Sequence, residues 1–247
     1  MRQKLDRLVD RAFPGMGIRP VYLTVISTWL MVLYWYWSRS SRVPNWFIGT
    51  MVDWTGIHNT GFHKHLWSHL VCFVLLALTP AIFVWFTDRM TFRELGLGFR
   101  KSGREFLIVA VLFLAFVPVI YYLSTTAGFQ RTYPRLKSTE TDMVLFAVFH
   151  LAYLLKWASW EFFFRGFMLF SFKKDFGTRA VLISTIPFTL MHYGKPDLET
   201  MSAVLAGFIL CWLALKGKSI WPGVAIHAAV AATMELFATT WFWDLWK

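Results

Sequence analysis

Acidic residues are in short supply in this chain: 14 Asp and Glu stand against 25 Lys and Arg among 247 residues, and only 16% of all positions are charged. Beside that shortage stand 57% hydrophobic residues and a mean hydropathy of +0.49. So many apolar side chains cannot be hidden in one soluble core, which excludes a soluble globular protein and leaves a polytopic membrane protein. Cysteine is nearly absent. Cys72 and Cys211 both lie inside apolar runs, which excludes a disulfide framework and a Cys-based zinc site and leaves packing as their role. Internal repeats and low-complexity linkers are lacking too, so residues 21–247 read as a single transmembrane domain behind a basic amphipathic segment over 1–20. The formal charge of +11 would point to nucleic acid in a soluble chain. Here most Lys and Arg flank apolar spans, where they encode orientation, and no nucleic-acid partner is expected.

The expected fold class is all-α: an integral membrane helix bundle of about seven to eight transmembrane helices in a lipid bilayer. Leu5, Leu8, Val9 and Phe13 line one face of the N-terminal segment, as in a helix lying in the membrane surface. Residues 21–37 are a retained first span, longer than a signal-peptide core and without a small-residue cleavage site behind it. Further spans are expected over 66–86, 106–123, 142–172, 181–192, 201–215 and 220–243, the last with Ser219 as its cap and Pro222 near its first turn. The fourth is too long for a simple crossing. About 30 residues make roughly 45 Å of α-helix, so it must tilt, protrude or break. The connection over 38–65 is rich in Trp, Gly and His, and a re-entrant element there would add an eighth span and upset the parity. With the N-terminus in the cytoplasm, the inside segments carry 15 basic residues and the outside segments eight, which predicts that orientation with seven spans.

The most informative stretch is 157–170, WASWEFFFRGFMLF, where Glu161 and Arg165 stand four residues apart on one helical face inside an apolar run. A charged side chain at the centre of a span costs about 2.5–3.5 kcal/mol on insertion scales, so such a pair turns inward. Taken alone, it is either a functional pair or a buried pair that fixes packing. Depth brings in two partners. Counted from the cytoplasmic ends of their spans, Glu161, His192 and His227 lie about 16, 20 and 12 Å deep at 1.5 Å per residue, with Arg165 one turn nearer the cytoplasm. A carboxylate and two imidazoles facing one cavity can activate a water and stabilise an oxyanion, which is the chemistry of amide hydrolysis. A second group, His58, His63, His65 and His69, carries a metal reading because positions 65 and 69 share a face and 63 is near. Its plainer reading is a set of loop histidines.

Glu161-x-x-x-Arg165-Gly166, Phe188-x-x-x-His192, and Trp221-Pro222 followed by His227 occur in this order on apolar helices. In that order and spacing they resemble the CPBP family of intramembrane proteases, which includes the type II CAAX prenyl endopeptidases and bacterial Abi-type proteins. Arg93-Glu94-Leu95-Gly96-Leu97 resembles the segment that often precedes the family's core spans, so the likeness covers about 90–235. The resemblance implies that Glu161 and His192 activate the hydrolytic water, that His227 helps bind the oxyanion and that Arg165 holds Glu161. It implies a membrane protein or lipidated peptide as substrate, cut near the cytoplasmic leaflet. Two positions depart from the family pattern. Trp160 stands where the first motif has another glutamate, commonly assigned as the base. Ala231 stands where Asn or Asp usually follows the histidine, and a lost oxyanion donor costs on the order of 100-fold in rate. Glu235, a turn beyond Ala231 on the face of His227, reads either as a replacement or as a carboxylate near the outer interface or paired with a neighbouring helix.

Glutamate-type catalysis requires no cofactor, whereas Glu161, His192 and His227 would also suit a His₂Glu site for a divalent metal such as zinc, with an open position for water. Two other functional classes use the same residues. One is an inactive relative serving as a binding module or chaperone, marked by Trp160 and Ala231. The other is a small transporter or proton relay, against which stands the lack of paired Gly/Pro-broken spans.

Overall fold

The computed structural model describes residues 2–99 and 103–245; Arg100, Lys101 and Lys247 of the basic count lie outside them. Among the described residues every regular element is helical. In chain order these are α1 (Arg2–Ala12), α2 (Ile18–Trp37), α3 (Asn45–Thr55), α4 (Thr60–Asp88), α5 (Gly103–Ser124), α6 (Ala127–Thr132) and α7 (Met143–Glu161). A π segment (Phe162–Leu169) runs directly on from α7 into α8 (Phe170–Phe176), followed by α9 (Ala180–Leu190), α10 (Asp197–Gly217), α11 (Trp221–Phe237) and α12 (Thr240–Asp244). Leu5 and Leu8 of α1 and Phe13 just beyond it are exposed, as a helix resting on a membrane surface leaves them. Leu107, Val111 and Leu114 of α5 are exposed as well. Spaced about one turn apart, they form an apolar stripe that only lipid would cover.

Five segments are long and apolar enough to cross a membrane: Ile18–Trp37, Thr60–Asp88, Gly103–Ser124, Met143–Leu190 and Asp197–Gly217. The fourth of these is not a single rod. Gly177 takes φ +57°, a conformation that terminates helices because only glycine adopts it without strain. Beyond it α9 runs back along the π segment, and Ser184 Oγ donates to the Phe164 carbonyl at 2.7 Å, 20 residues earlier in the chain. The over-long stretch anticipated from the sequence therefore leaves α-helical geometry in its second half. Its wider turns take i→i+5 hydrogen bonds, a form found mostly at functional positions, and all eight of its residues are buried.

One connection ties the two halves of the site together from the N-terminal end of the bundle. Thr91 and Glu94 form a reciprocal cap, in which the Glu94 carboxylate accepts from the Thr91 backbone N–H at 2.8 Å and its own N–H reaches the Thr91 hydroxyl. The Thr91 N–H and, after it, the Lys174 ammonium hold the Glu94 carboxyl down at about 2. The chain then turns through Gly96 at φ +77°. From there the Gly96 carbonyl accepts from Ile220 N–H at 2.9 Å and the Leu97 carbonyl from the Trp221 indole at 3.0 Å. These bonds anchor the start of α11. On the other side the Leu95 carbonyl presses on the π segment at Gly166, where a Cβ would stand 2.9 Å from it and 2.8 Å from the Phe162 ring.

This tight approach yields a stability prediction. Gly166→Ala must displace backbone as well as a ring, and overpacking of that kind costs about 1–3 kcal/mol. Gly49 of α3 is exposed, and a methyl group added there would meet nothing within 4 Å, so Gly49→Ala gains helix propensity, about 1 kcal/mol at most. Thermal unfolding of the purified protein in detergent should show a lowered midpoint for the first variant and an unchanged or raised one for the second.

Candidate active site

Glu161 sits where α7 passes into the π segment, with no exposure to solvent. Its Oε1 accepts from Arg165 Nη1 at 3.1 Å and from His227 Nδ1 at 2.8 Å. The first bond joins residues of one rod, and the second reaches across to α11. Two backbone features permit the crossing. Gly223 of α11 lies against the carboxylate so closely that a Cβ there would come within 2.8 Å of Oε2, and Pro222 in the first turn of α11 needs no helical acceptor for its missing N–H. Trp157, one turn before Glu161, packs its ring on that of His227 at 4.4 Å.

Arg165 is wholly buried, and its Nε and Nη2 have no hydrogen-bond partner among the described residues. Its guanidinium carbon lies 4.0 Å from the centre of the Phe188 ring, so the aromatic face supplies part of what water would have given. Phe188 has two further contacts. Its carbonyl accepts from His192 Nδ1 at 2.8 Å and its ring lies 4.6 Å from the His192 ring. The Phe-x-x-x-His spacing thus has a local cause: the aromatic residue covers the arginine with its side chain and fixes the histidine through its backbone.

The two histidines face each other with ring centres 6.5 Å apart and planes 22° from parallel. A carbonyl and a carboxylate can only accept, so the hydrogen on each ring is assigned to Nδ1. Both neutral rings then present a basic Nε2 away from their anchors. The three residues placed in one layer by helix rise are therefore brought together, with Glu161 bonded to His227 and His192 beside it. Glu235 lines the same cavity as the two histidines but is bonded to neither. Its carboxylate accepts from the Arg135 backbone N–H at 2.8 Å and lies 3.9 Å from the Arg135 side chain, so its partner is the connection before α7.

Two cavities meet at the histidines. The first, about 380 Å³, is largely apolar and lies between α5, α10 and α11, with Phe116, Ile209 and Val230 among its walls. The second, about 360 Å³, is a vestibule walled by Trp160, Arg39, Arg135, Lys156 and Lys195 among others. His192, His227, Tyr153 and Trp157 line both. Arg39 follows the end of α2 and Lys195 the end of α9, so the vestibule lies toward the end of the bundle opposite the N-terminus. Burial lowers the affinity of Lys195 for its proton, an effect that the nearby Glu199 carboxylate, 2.6 Å away, opposes.

Among the described residues no group of three or more His, Cys, Asp or Glu is disposed to hold a metal. In this geometry Glu161, His192 and His227 do not suit a His₂Glu centre: Glu161 Oε1 is taken by a guanidinium and by the ring nitrogen of His227, and Oε2 is enclosed at Gly223. Of the upstream histidines, His65 and His69 lie near each other with ring centres 6.4 Å apart, while His63 has a separate partner. His63 Nε2 bonds the Ile57 carbonyl at 2.7 Å, and His69 stacks on Tyr153 at 4.6 Å. Sequence reasoning missed Gly223, Phe188 as the cover of Arg165, and Lys156. The last had a signal, a lone lysine inside an apolar span; the other two act through contacts between helices that no spacing encodes.

No curated protein and no solved structure matches the chain. Residues 142–233 match the family model described as type II CAAX prenyl endopeptidase Rce1-like, a description that implies a protease. The matched stretch runs from the cap of α7 almost to the end of α11 and holds Glu161, Arg165, His192 and His227, and over these residues the chain is similar to the type II CAAX prenyl endopeptidases.

Proposed function

We propose that the protein is an intramembrane endopeptidase that hydrolyses a peptide bond in a membrane-associated or lipidated substrate. The observation that carries this reading is the 2.8 Å bond between His227 Nδ1 and the buried Glu161 carboxylate, at the junction of an apolar cavity and a basic vestibule. An acyl chain or apolar segment occupies the first cavity and the peptide backbone lies past the two rings. Glu161 orients His227 and raises the basicity of its Nε2, as the carboxylate of a hydrolytic triad does for its imidazole. His227 Nε2 takes a proton from water while His192 Nε2 accepts the water's other hydrogen, and the hydroxide adds to the scissile carbonyl carbon. The proton on His227 next stabilises the oxyanion and passes to the leaving nitrogen, releasing an acid and an amine. In this division of roles Glu161 works through His227, because one of its oxygens carries two donors and the other faces Gly223. The same occupancy favours a mechanism that runs on these side chains alone.

The five long apolar segments become six when Met143–Leu190 is divided at Gly177, and α11 supplies a seventh crossing. The excess of basic residues at the N-terminal end of the bundle supports a cytoplasmic N-terminus. In that orientation the vestibule opens on the opposite side of the membrane, and the substrate reaches the site from there instead of from the cytoplasmic leaflet.

Cleavage of a membrane peptide by the reconstituted protein should fall by about 100-fold or more in Glu161→Gln, in His192→Ala and in His227→Ala; unchanged cleavage in all three would overturn the mechanism. Glu161→Gln should also lower stability by about 3–5 kcal/mol, since it leaves Arg165 buried without its counter-charge, and a Glu161→Gln, Arg165→Met pair should recover much of that loss in thermal unfolding. Orientation is tested with a membrane-impermeant thiol reagent on intact cells, Cys72 and Cys211 being buried. Arg42→Cys should be labelled and Arg179→Cys should not.

A further inference from the structure

The vestibule holds a charge with nowhere to go. Arg39, Arg135, Lys156 and Lys195 all line it, and among the described residues that wall it none is Asp or Glu. Two of the four cations are paired from outside it, Arg135 with Glu235 and Lys195 with Glu199. Arg39 is exposed and lies over Trp35 and Tyr36. Lys156 differs from the others. It belongs to α7, five residues before Glu161, and its ammonium has a ring contact with Tyr153 at 5.3 Å but no carboxylate within ion-pair distance among the described residues. A lysine inside a span normally pairs or snorkels to water, because an uncompensated charge there is costly. Lys156 instead faces a cavity shared with both catalytic histidines. One turn further along α7, where a carboxylate at i+4 would have answered it, the chain carries Trp160.

We infer that Lys156 is the head of an anion-binding subsite beside the hydrolytic residues, with Arg39 at its rim, and that it takes a carboxylate or phosphate-type group held close to the scissile bond. This rests on the hydrolase reading for the meaning of "substrate", but the binding chemistry does not need cleavage. Two sources carry such a group: the free C-terminal carboxylate of a peptide cut near its end, and the headgroup of an anionic lipid packed against the substrate. The polar vestibule and the apolar cavity meet at the histidines, so a substrate with an apolar part and an anionic end would place the bond between them at His192 and His227.

The test uses the full-length protein in vesicles, with a hydrophobic, N-acylated fluorogenic peptide made once as the C-terminal acid and once as the amide. For the wild type, kcat/KM for the acid should exceed that for the amide by about tenfold or more, the scale of a charged hydrogen bond, with the difference in KM. Lys156→Met should bring the two peptides within about twofold and Lys156→Arg should restore the preference. If the headgroup is the source, acid and amide will be cut alike, and replacing phosphatidylcholine by phosphatidylglycerol will raise cleavage in the wild type and not in Lys156→Met. Either pattern supports the subsite. Neither dependence, or a dependence that Lys156→Met leaves intact, overturns it. Direct binding of both peptides in both vesicle types separates this from failure of the hydrolase reading. Acid-selective or phosphatidylglycerol-dependent binding that Lys156→Met abolishes, without cleavage by the wild type, keeps the subsite and removes the protease. Binding that ignores both removes the subsite.

Discussion

A carboxylate with no access to solvent must be compensated where it stands, and in this bundle the compensation of Glu161 fixes the arrangement of everything near it. An ion left alone in the interior costs several kcal/mol even after relaxation. Arg165 answers from the same rod at 3.1 Å, so charge and counter-charge enter the membrane as one nearly neutral unit. The rest of the guanidinium's demand falls on Phe188 of α9, and the second donor to the carboxylate comes from α11. One side chain thus dictates how close three helices must lie.

Closeness of that order requires that nothing intervene, and the glycines stand where it is needed. Gly223 admits the carboxylate to the flank of α11, and Gly166 admits the Leu95 carbonyl to the π segment. Every residue from Phe162 to Leu169 of the π segment is buried, as in a helix that the bundle surrounds and not one with a single core-facing stripe. The rod is therefore enclosed on all sides at the height of the ion pair, and the fixed charges are shielded from lipid as well as from water.

Much of this was legible in the residues because helix rise is nearly constant. Counting along three spans placed Glu161, His192 and His227 in one layer, and the folded chain joins them there. The break between the fourth and fifth spans was legible too, from the basic stretch that separates 142–172 from 181–192. Height carries no information about azimuth, so counting could not tell that the Glu161 partner is His227 while His192 is held by the Phe188 carbonyl. Nor could it say toward which end the cavities open. That depends on Arg135 and Lys195, loop residues that reach the vestibule only once the helices are packed. The excess length of the fourth span was visible, but the choice among tilting, protruding and widening its turns belongs to its packing against α9.

The two departures from the family pattern make physical sense together. Trp160 takes the place of a carboxylate with a ring packed between Tyr34 and Phe164 and 6.4 Å from His192, while Ala231 leaves an apolar wall where an amide or acid would have stood. Each change removes negative or polar character from the neighbourhood of the rings. A second carboxylate at 160 would sit one turn from Lys156 and neutralise it, and it would compete with Glu161 for Arg165. Without it, Glu161 is the carboxylate bonded to His227, and no Asp or Glu stands among the described residues that wall the vestibule. An attacking hydroxide and the oxyanion it creates are both favoured in a positive field of low dielectric. On the proposed hydrolase reading, the cations that line the vestibule would do over a distance part of what a lost donor would have done by contact.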